Sequence, residues 1–150
     1  MAIWQYRMIL LPKESLVKHL GELHEKVNDK DYNRIDFWAG TKYSSSIFSY
    51  FDQILPKNKS WSDEIILYGD TNSNCIEIVE ENDSISEAII RIDFRTEYSL
   101  ALNAVLEFCI LNSLILLDNN LRIMDLNETN INAQIFNSKE YKKYKVLEDQ

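Results

Sequence analysis

Carboxylates are the residue type of this sequence most able to do chemistry. Four of them, Glu77, Glu80, Glu81 and Asp83, stand close together in the segment CIEIVEENDSISEAIIRIDFR. A calcium loop spaces its oxygen ligands around a central glycine, and such a site needs both the spacing and the glycine. The segment has neither, so we predict no metal site and interpret these residues as a solvated turn.

A pair of carboxylates could also act as general acid and base. Glu87 and Asp93 are six positions apart in a predicted strand, which separates them by about 20 Å. The carboxylate pairs of glycoside hydrolases are much closer together. This pair therefore fails as a catalytic dyad.

The histidines and cysteines do not form a recognisable site. His19 and His24 are five positions apart and lack the spacing that brings two imidazoles to one zinc ion. Cys75 and Cys109 have no paired-cysteine spacing. A Cys–His nucleophile pair stays open, although the apolar surroundings of Cys109 favour simple packing. We predict a protein that is not an enzyme, with no catalytic residue, no metal and no cofactor.

Charge is the most informative property of the chain. The formal net charge is −8, and residues 63–97 hold ten acidic residues and two arginines, so this span alone accounts for all of it. Excess negative charge opposes binding to nucleic acid and to anionic membranes, and it favours a basic partner. The alternative is that Glu87, Arg91, Asp93 and Arg95 form cross-strand pairs on a solvated face.

The pattern of apolar residues predicts a single domain over residues 1–150. We expect an α+β fold, with a mostly antiparallel sheet that contains a three-stranded meander and packs against a central apolar helix and flanking helices. The predicted strands are 3–11, 64–68, 74–79, 85–94 and 121–124. The predicted helices are 13–27, 44–55, 99–117 and 129–144, with irregular chain at 28–45 and a basic loop at 57–59.

No targeting or membrane segment is predicted. The N-terminus lacks the pattern of a signal peptide, and the apolar run 100–117 is interrupted by Asn103, Glu107, Asn112 and Ser113. We expect a cytoplasmic protein.

Three short motifs resemble those of a known group of proteins. The opening IWQYRMILLPKESL, the SWS at 60–62 and the RIDFR at 91–95 are similar to parts of the immunity proteins of contact-dependent growth inhibition and related polymorphic toxin systems. The resemblance implies an antitoxin that binds the C-terminal toxin domain of a cognate secreted effector, often a nuclease. It implies no catalytic residue, because the activity is inhibition.

Charge and resemblance together predict a surface that meets a basic toxin domain. A nuclease cleft must attract phosphate, so an acidic surface can compete for it. Aromatic side chains ringed by charge are typical anchors of such interfaces. The predicted contact residues are Asp70, Glu77, Glu80, Glu81, Asp83, Glu87 and Asp93, with Trp61 and Tyr68 as anchors. The alternative function is a nucleic-acid-binding or small regulatory interaction module without a toxin partner.

Overall fold

The computed structural model describes residues 1–23 and 25–150, so His24 lies outside the described residues. Within these residues the strands are β1 Gln5–Pro12, β2 Lys57–Asn58, β3 Ile65–Gly69, β4 Cys75–Glu81, β5 Ser84–Asp93, β6 Leu114–Leu117 and β7 Ile123–Met124. The helices are α1 Lys13–Leu20, α2 Asp29–Arg34, α3 Ser99–Asn112, α4 Glu128–Phe136 and α5 Lys139–Glu148, with a short 3₁₀ helix Ser45–Phe51. The predicted α+β class is confirmed.

The strands form one antiparallel sheet in the order β2-β3-β4-β5-β1-β6-β7. The predicted meander is present as β3, β4 and β5, and the N-terminal strand β1 inserts between β5 and β6. Its sequence QYRMILLP is buried along almost its whole length. A strand with neighbours on both sides and both faces covered is expected to be this apolar.

One face of the sheet carries most of the hydrophobic core. Ile76 pairs with Ile90 and Ile78 with Ala88, and all four side chains are fully or almost fully buried. Phe108 of α3 lies 5.0 Å from Phe48 and 4.8 Å from Phe51 between ring centroids, which joins the helix to the 3₁₀ segment. The central apolar helix is therefore where the sequence predicts it.

Two predicted helices are shorter than expected. The helix beginning at Lys13 ends at Leu20, because Gly21 adopts φ +88° and reverses the chain. The helix beginning at Ser99 ends at Asn112, where Ser113 is left-handed, and the next four apolar residues form β6 instead. A short apolar run reads equally well as buried helix or buried strand, so periodicity misses this boundary.

Smaller differences affect the polar connections. The irregular span 28–45 contains α2, whose first turn is capped by the Asn28 side chain accepting from the Asp31 N–H. The predicted helix 44–55 is a 3₁₀ helix, and the basic loop contributes the two residues of β2. The predicted final helix is two helices, since Ser138 caps α5 through the Tyr141 N–H.

Candidate protein-interaction site

The turn between β4 and β5 is a tight two-residue hairpin connection. Asn82 and Asp83 both have left-handed backbone angles, with φ of +52° and +62°. Two consecutive positive φ values are typical of a type I′ turn, which matches the twist of antiparallel strands. Asn and Asp tolerate this conformation better than most other residues with side chains. Glu81 faces Ser84 across the turn. The acidic residues here therefore stand on a fixed hairpin.

The loop that leads into β3 is held by two serine side chains. The Ser60 hydroxyl donates to the carbonyl of Ile65 at 2.6 Å and also to that of Ser62. The Ser62 hydroxyl accepts the N–H of Glu64 at 3.2 Å. Serine hydroxyls often replace backbone partners in this way at turns. The segment SWSDE consequently has an ordered shape that presents the Trp61 side chain between the two serines.

A backbone hydrogen bond joins this loop to the hairpin. The N–H of Glu80 donates to the carbonyl of Glu64 at 2.8 Å, where the start of β3 meets the end of β4. We call the resulting surface the acidic tip. It consists of Trp61, Asp63, Glu64, Glu80, Glu81 and Asp83.

Within the described part of the chain, no carboxylate of the acidic tip forms an ion pair with a basic residue. Among the described residues, five ion pairs are formed and none includes a member of the tip. Glu80 is half-buried and the other four acids are exposed. The basic residue nearest in sequence, Lys59, is also absent from those pairs. The tip is therefore an anionic surface whose carboxylates are unpaired among the described residues.

Trp61 is the most exposed large hydrophobic side chain of the described residues, at 79%. Leaving an indole in water is unfavourable, and exposed aromatic groups in a charged setting are typical of binding surfaces. The loop that carries it is already ordered by Ser60 and Ser62. Trp61 is therefore a candidate anchor, exposed on a loop whose backbone is held by serine hydrogen bonds.

Two other predicted contact acids are paired with arginines. Glu77 forms an ion pair with Arg91 on the neighbouring strand, and Glu87 lies 3.5 Å from Arg7 of β1. These pairs lie on the sheet face opposite the main core. The alternative prediction, in which acids and arginines of the meander pair across strands, therefore describes Glu77 and Glu87. The acids of the meander do not form one continuous face.

The prediction that Asp93 contacts a partner is wrong, because its side chain is fully buried. The chain at 70–74 folds over it, with Asn74 Oδ1 accepting the Asp93 N–H at 2.7 Å. Arg95 donates to its carboxylate at 2.8 and 3.0 Å. Burial alone would raise the pKa of Asp93, but the hydrogen bonds from the Arg95 side chain and backbone hold it below the ordinary value. Asp93 is an internal anion and not a surface contact.

Tyr68 and Asp70 also differ from the prediction. Tyr68 is 4% exposed and points to the helical side of the sheet, 6.5 Å from the Phe51 ring. Asp70 is exposed, but its carboxylate accepts the Asn72 N–H at 2.8 Å in the turn between β3 and β4. That turn is at the far end of β4 from the acidic tip, about 20 Å away for a strand of this length. Tyr68 is therefore a core residue, and Asp70 is separate from the tip.

Asp63 and Glu64 belong to the acidic tip but were not among the predicted contacts. Ile65 pairs with Val79, so the residues just before Ile65 lie beside those just after Val79. The antiparallel arrangement of β3 and β4 was predictable, and following it to the ends of the strands would have identified both acids. Of the predicted contacts, the structure brings together Glu80, Glu81, Asp83 and Trp61.

The two cysteines and His19, which were considered for catalysis, are packed against other side chains of the fold. Cys75 and Cys109 are both buried free thiols, and burial raises their pKa values, which disfavours the reactive thiolate. His19 packs edge-on against Phe37 at 6.0 Å. In the described part of the chain, no three His, Cys, Asp or Glu residues are grouped so that they could hold a metal ion.

A cleft lies near β7, at the opposite edge of the sheet from β2. Its volume is about 800 Å³, and it contains both acidic and basic side chains. Asp118, the buried carboxylate among its lining residues, accepts from the N–H groups of Asn120 and Arg122 at 2.8 and 3.0 Å and from Gln134 at 2.7 Å. These contacts fix the turn between β6 and β7, so Asp118 has a structural role.

Comparisons of the chain with protein-family models, with curated proteins and with solved structures find no match. None of the described helices has the length and apolar character needed to cross a membrane.

Proposed function

We propose that this protein is an immunity protein that binds and neutralises the C-terminal toxin domain of a cognate secreted bacterial effector. It acts by binding and not by catalysis, and it acts in the cytoplasm, where such a toxin reaches its target. The observation that carries the proposal is the acidic tip, in which an exposed tryptophan shares one end of the meander with five carboxylates that form no ion pair within the described residues.

The charge of the tip indicates the chemistry of the partner. Carboxylates packed together repel each other, and a basic surface relieves that repulsion on binding. A toxin domain that acts on nucleic acid has such a surface, because it must attract phosphate. Complementary charge also speeds encounter, to about 10⁸–10⁹ M⁻¹s⁻¹ at low salt. Rapid capture suits an inhibitor that must act before the toxin does.

The order of the tip supports tight binding. Binding costs conformational freedom, and a loop that is already fixed loses less of it. Ser60 and Ser62 fix the loop around Trp61, and the turn at Asn82 and Asp83 fixes the hairpin. We infer that Trp61 inserts into an apolar pocket of the toxin domain while the carboxylates pair with lysines and arginines around it.

Co-expression tests the proposal directly. The probe is the C-terminal domain of the large secreted effector encoded next to this chain's gene. We expect growth arrest when that domain is expressed alone, and restored growth and co-purification when this protein is present. A variant that combines Trp61→Ala with Glu64→Lys and Glu81→Lys should fail to restore growth.

The matched control carries Val146→Ala with Glu22→Lys and Asp149→Lys, which change exposed residues outside the tip. It should protect as well as the wild type. A gene neighbourhood without such an effector, or an effector domain that does not bind this chain, contradicts the proposal.

A further inference from the structure

An apolar stripe on α3 is left without a partner in the described chain. Leu100, Ile110 and Leu111 are exposed at 71%, 64% and 65%, although the rest of the helix is largely buried. Together with Asn103 and Glu107, which are also exposed, they occupy a stripe about 100° wide at 3.6 residues per turn. A stripe of this width is what a helix normally buries against a neighbour.

The order of residues along the stripe has a two-fold character. The middle of the stripe is near residue 105. Asn103 and Glu107 flank this point, Leu100 lies towards the N-terminal end of the helix, and Ile110 with Leu111 lie towards its C-terminal end. An antiparallel copy of the same helix would therefore place leucine against isoleucine and leucine, and amide against carboxylate. A two-fold contact between identical surfaces requires this self-complementarity. If residue i of one copy contacts residue j of the other, then residue j of the first copy also contacts residue i of the second.

Charges at the two ends of α3 are complementary in the same arrangement. Glu97 is exposed just before the helix begins. Lys42 is exposed beyond its other end, where Tyr43 donates its hydroxyl hydrogen to the Asn112 carbonyl and the Lys42 Nζ lies 5.7 Å from the Tyr43 ring. Antiparallel pairing brings Glu97 of each copy towards Lys42 of the other. Within the stripe, Glu107 is the one charged residue, and the excess acids of residues 63–83 lie on other elements.

We propose that the α3 stripe is a homodimer interface, in which the α3 helices of two copies pack antiparallel about a two-fold axis near residue 105. A single helix pair buries less than a standard interface, so the dimer forms at the weak end of the range, with a dissociation constant on the order of micromolar. The acidic tip is formed by other elements, and this inference does not depend on the proposed function.

The oligomeric state as a function of concentration tests the interface. The full chain has a mass of 17.7 kDa. Sedimentation equilibrium should give twice this mass at 200 µM and approach the monomer mass at 0.1 µM, concentrations chosen to bracket a dissociation constant on the order of micromolar. Ile110→Glu should raise the dissociation constant at least about ten-fold, because two carboxylates would be buried without partners. Val146→Glu, at a similarly exposed aliphatic residue of α5, should leave it unchanged.

Disulfide trapping tests the orientation. In the antiparallel arrangement Leu100 lies opposite Ile110 of the other copy, whereas two Leu100 residues are about 15 Å apart along the axis. A mixture of Leu100→Cys and Ile110→Cys should therefore cross-link on mild oxidation, and Leu100→Cys alone should not. The two native cysteines are buried and do not compete.

Three results overturn the proposal. They are a monomer mass at every concentration, a dimer that survives Ile110→Glu but not Val146→Glu, and efficient cross-linking of Leu100→Cys with itself. Circular dichroism of each variant confirms that the fold is intact, which is expected because the substituted positions are exposed.

Discussion

Glu80 donates its backbone N–H to the carbonyl of Glu64 at 2.8 Å, where the ladder between β3 and β4 brings two acidic segments 16 positions apart to the same end of the meander. Asp63 and Trp61 precede β3 at this end, and Glu81 and Asp83 lie at the hairpin turn that follows β4. Of the ten acids in residues 63–97, five form the tip, Glu77, Glu87 and Asp93 form ion pairs with arginines, and Asp70 and Glu97 accept backbone N–H groups.

Reversing charge at the tip should slow association with the toxin domain. We expect the double variant Glu64→Lys and Glu81→Lys to lower the association rate constant about 10- to 100-fold at low salt, since steering contributes on this scale. Asp83 is left unchanged because its left-handed backbone disfavours lysine. Stopped-flow mixing at 20 and 300 mM salt measures the rates.

The control for this variant is Glu22→Lys, an exposed acid outside the tip. It should change the rate less than two-fold under the same conditions. Equal slowing by both variants would show that only the net charge matters and that the tip is not the contact.

Removing the indole of Trp61 should act mainly on dissociation. Buried aromatic anchors contribute about 2 kcal/mol or more to binding, which corresponds to roughly a 30-fold change in affinity. Trp61→Ala should shorten the lifetime of the complex by about this factor, measured by surface plasmon resonance. The free energy of unfolding should change by less than about 0.5 kcal/mol, because the side chain is exposed. A large loss of stability with unchanged binding would assign Trp61 to folding instead.

The hairpin turn should tolerate glycine and reject β-branched residues. Asn82→Gly keeps access to positive φ and should leave the free energy of unfolding within about 0.5 kcal/mol of wild type. Asn82→Val should lower it by about 1–2 kcal/mol, because the left-handed region is costly for a β-branched residue. Urea denaturation measures both. Ser84→Val, which starts β5, is the matched control and should have little effect.

Asp93 should make stability depend on acidic pH. Its pKa in the folded protein is below the ordinary value of 3.8, so the folded state binds this proton more weakly than the unfolded chain does. The carboxylate therefore stabilises the fold above pH 3.8, and this contribution is lost as the pH falls through the folded pKa. Asp93→Asn should lower the free energy of unfolding at pH 7 by about 1.5–3 kcal/mol, as expected for hydrogen bonds to a charged group.

The difference between Asp93→Asn and wild type should be constant from pH 6 to pH 8 and shrink as the solution is made more acidic. Denaturant titrations at each pH give the comparison. A difference that stays the same at low pH would mean that the amide disrupts packing and that the ionised carboxylate is not the stabilising group.

The meander was predictable because its sequence carries two independent signals. Alternation of apolar and polar residues identifies the strands, and the Asp-, Asn- and Ser-rich segments mark the turns, so β3, β4 and β5 begin and end within one or two residues of their predicted limits. The boundary between α3 and β6 was not predictable in this way. A fully buried strand and a buried helix are both continuously apolar, and only tertiary packing separates them.

The candidate site was predictable in part, and the errors have specific causes. Alternation correctly assigns Asp93 to the face shared with Glu87 and Arg91, but it does not reveal that the chain at 70–74 covers the end of that face. Gln5 fixes this cover by donating to the carbonyls of Thr71 and Ser73 at 2.9 and 2.7 Å, a contact between residues more than 60 positions apart. Local sequence does not encode such a contact.

The most direct test of the account is to map which carboxylates contact the toxin domain. A zero-length carbodiimide joins carboxylates to lysines that touch them, and mass spectrometry identifies the joined residues. If the acidic tip is the contact surface, the complex should show cross-links from Asp63, Glu64, Glu81 and Asp83 to lysines of the toxin domain. Cross-links confined to the acids of the cleft near β7, such as Glu25, Asp125 and Glu140, would contradict the assignment of the tip as the contact surface.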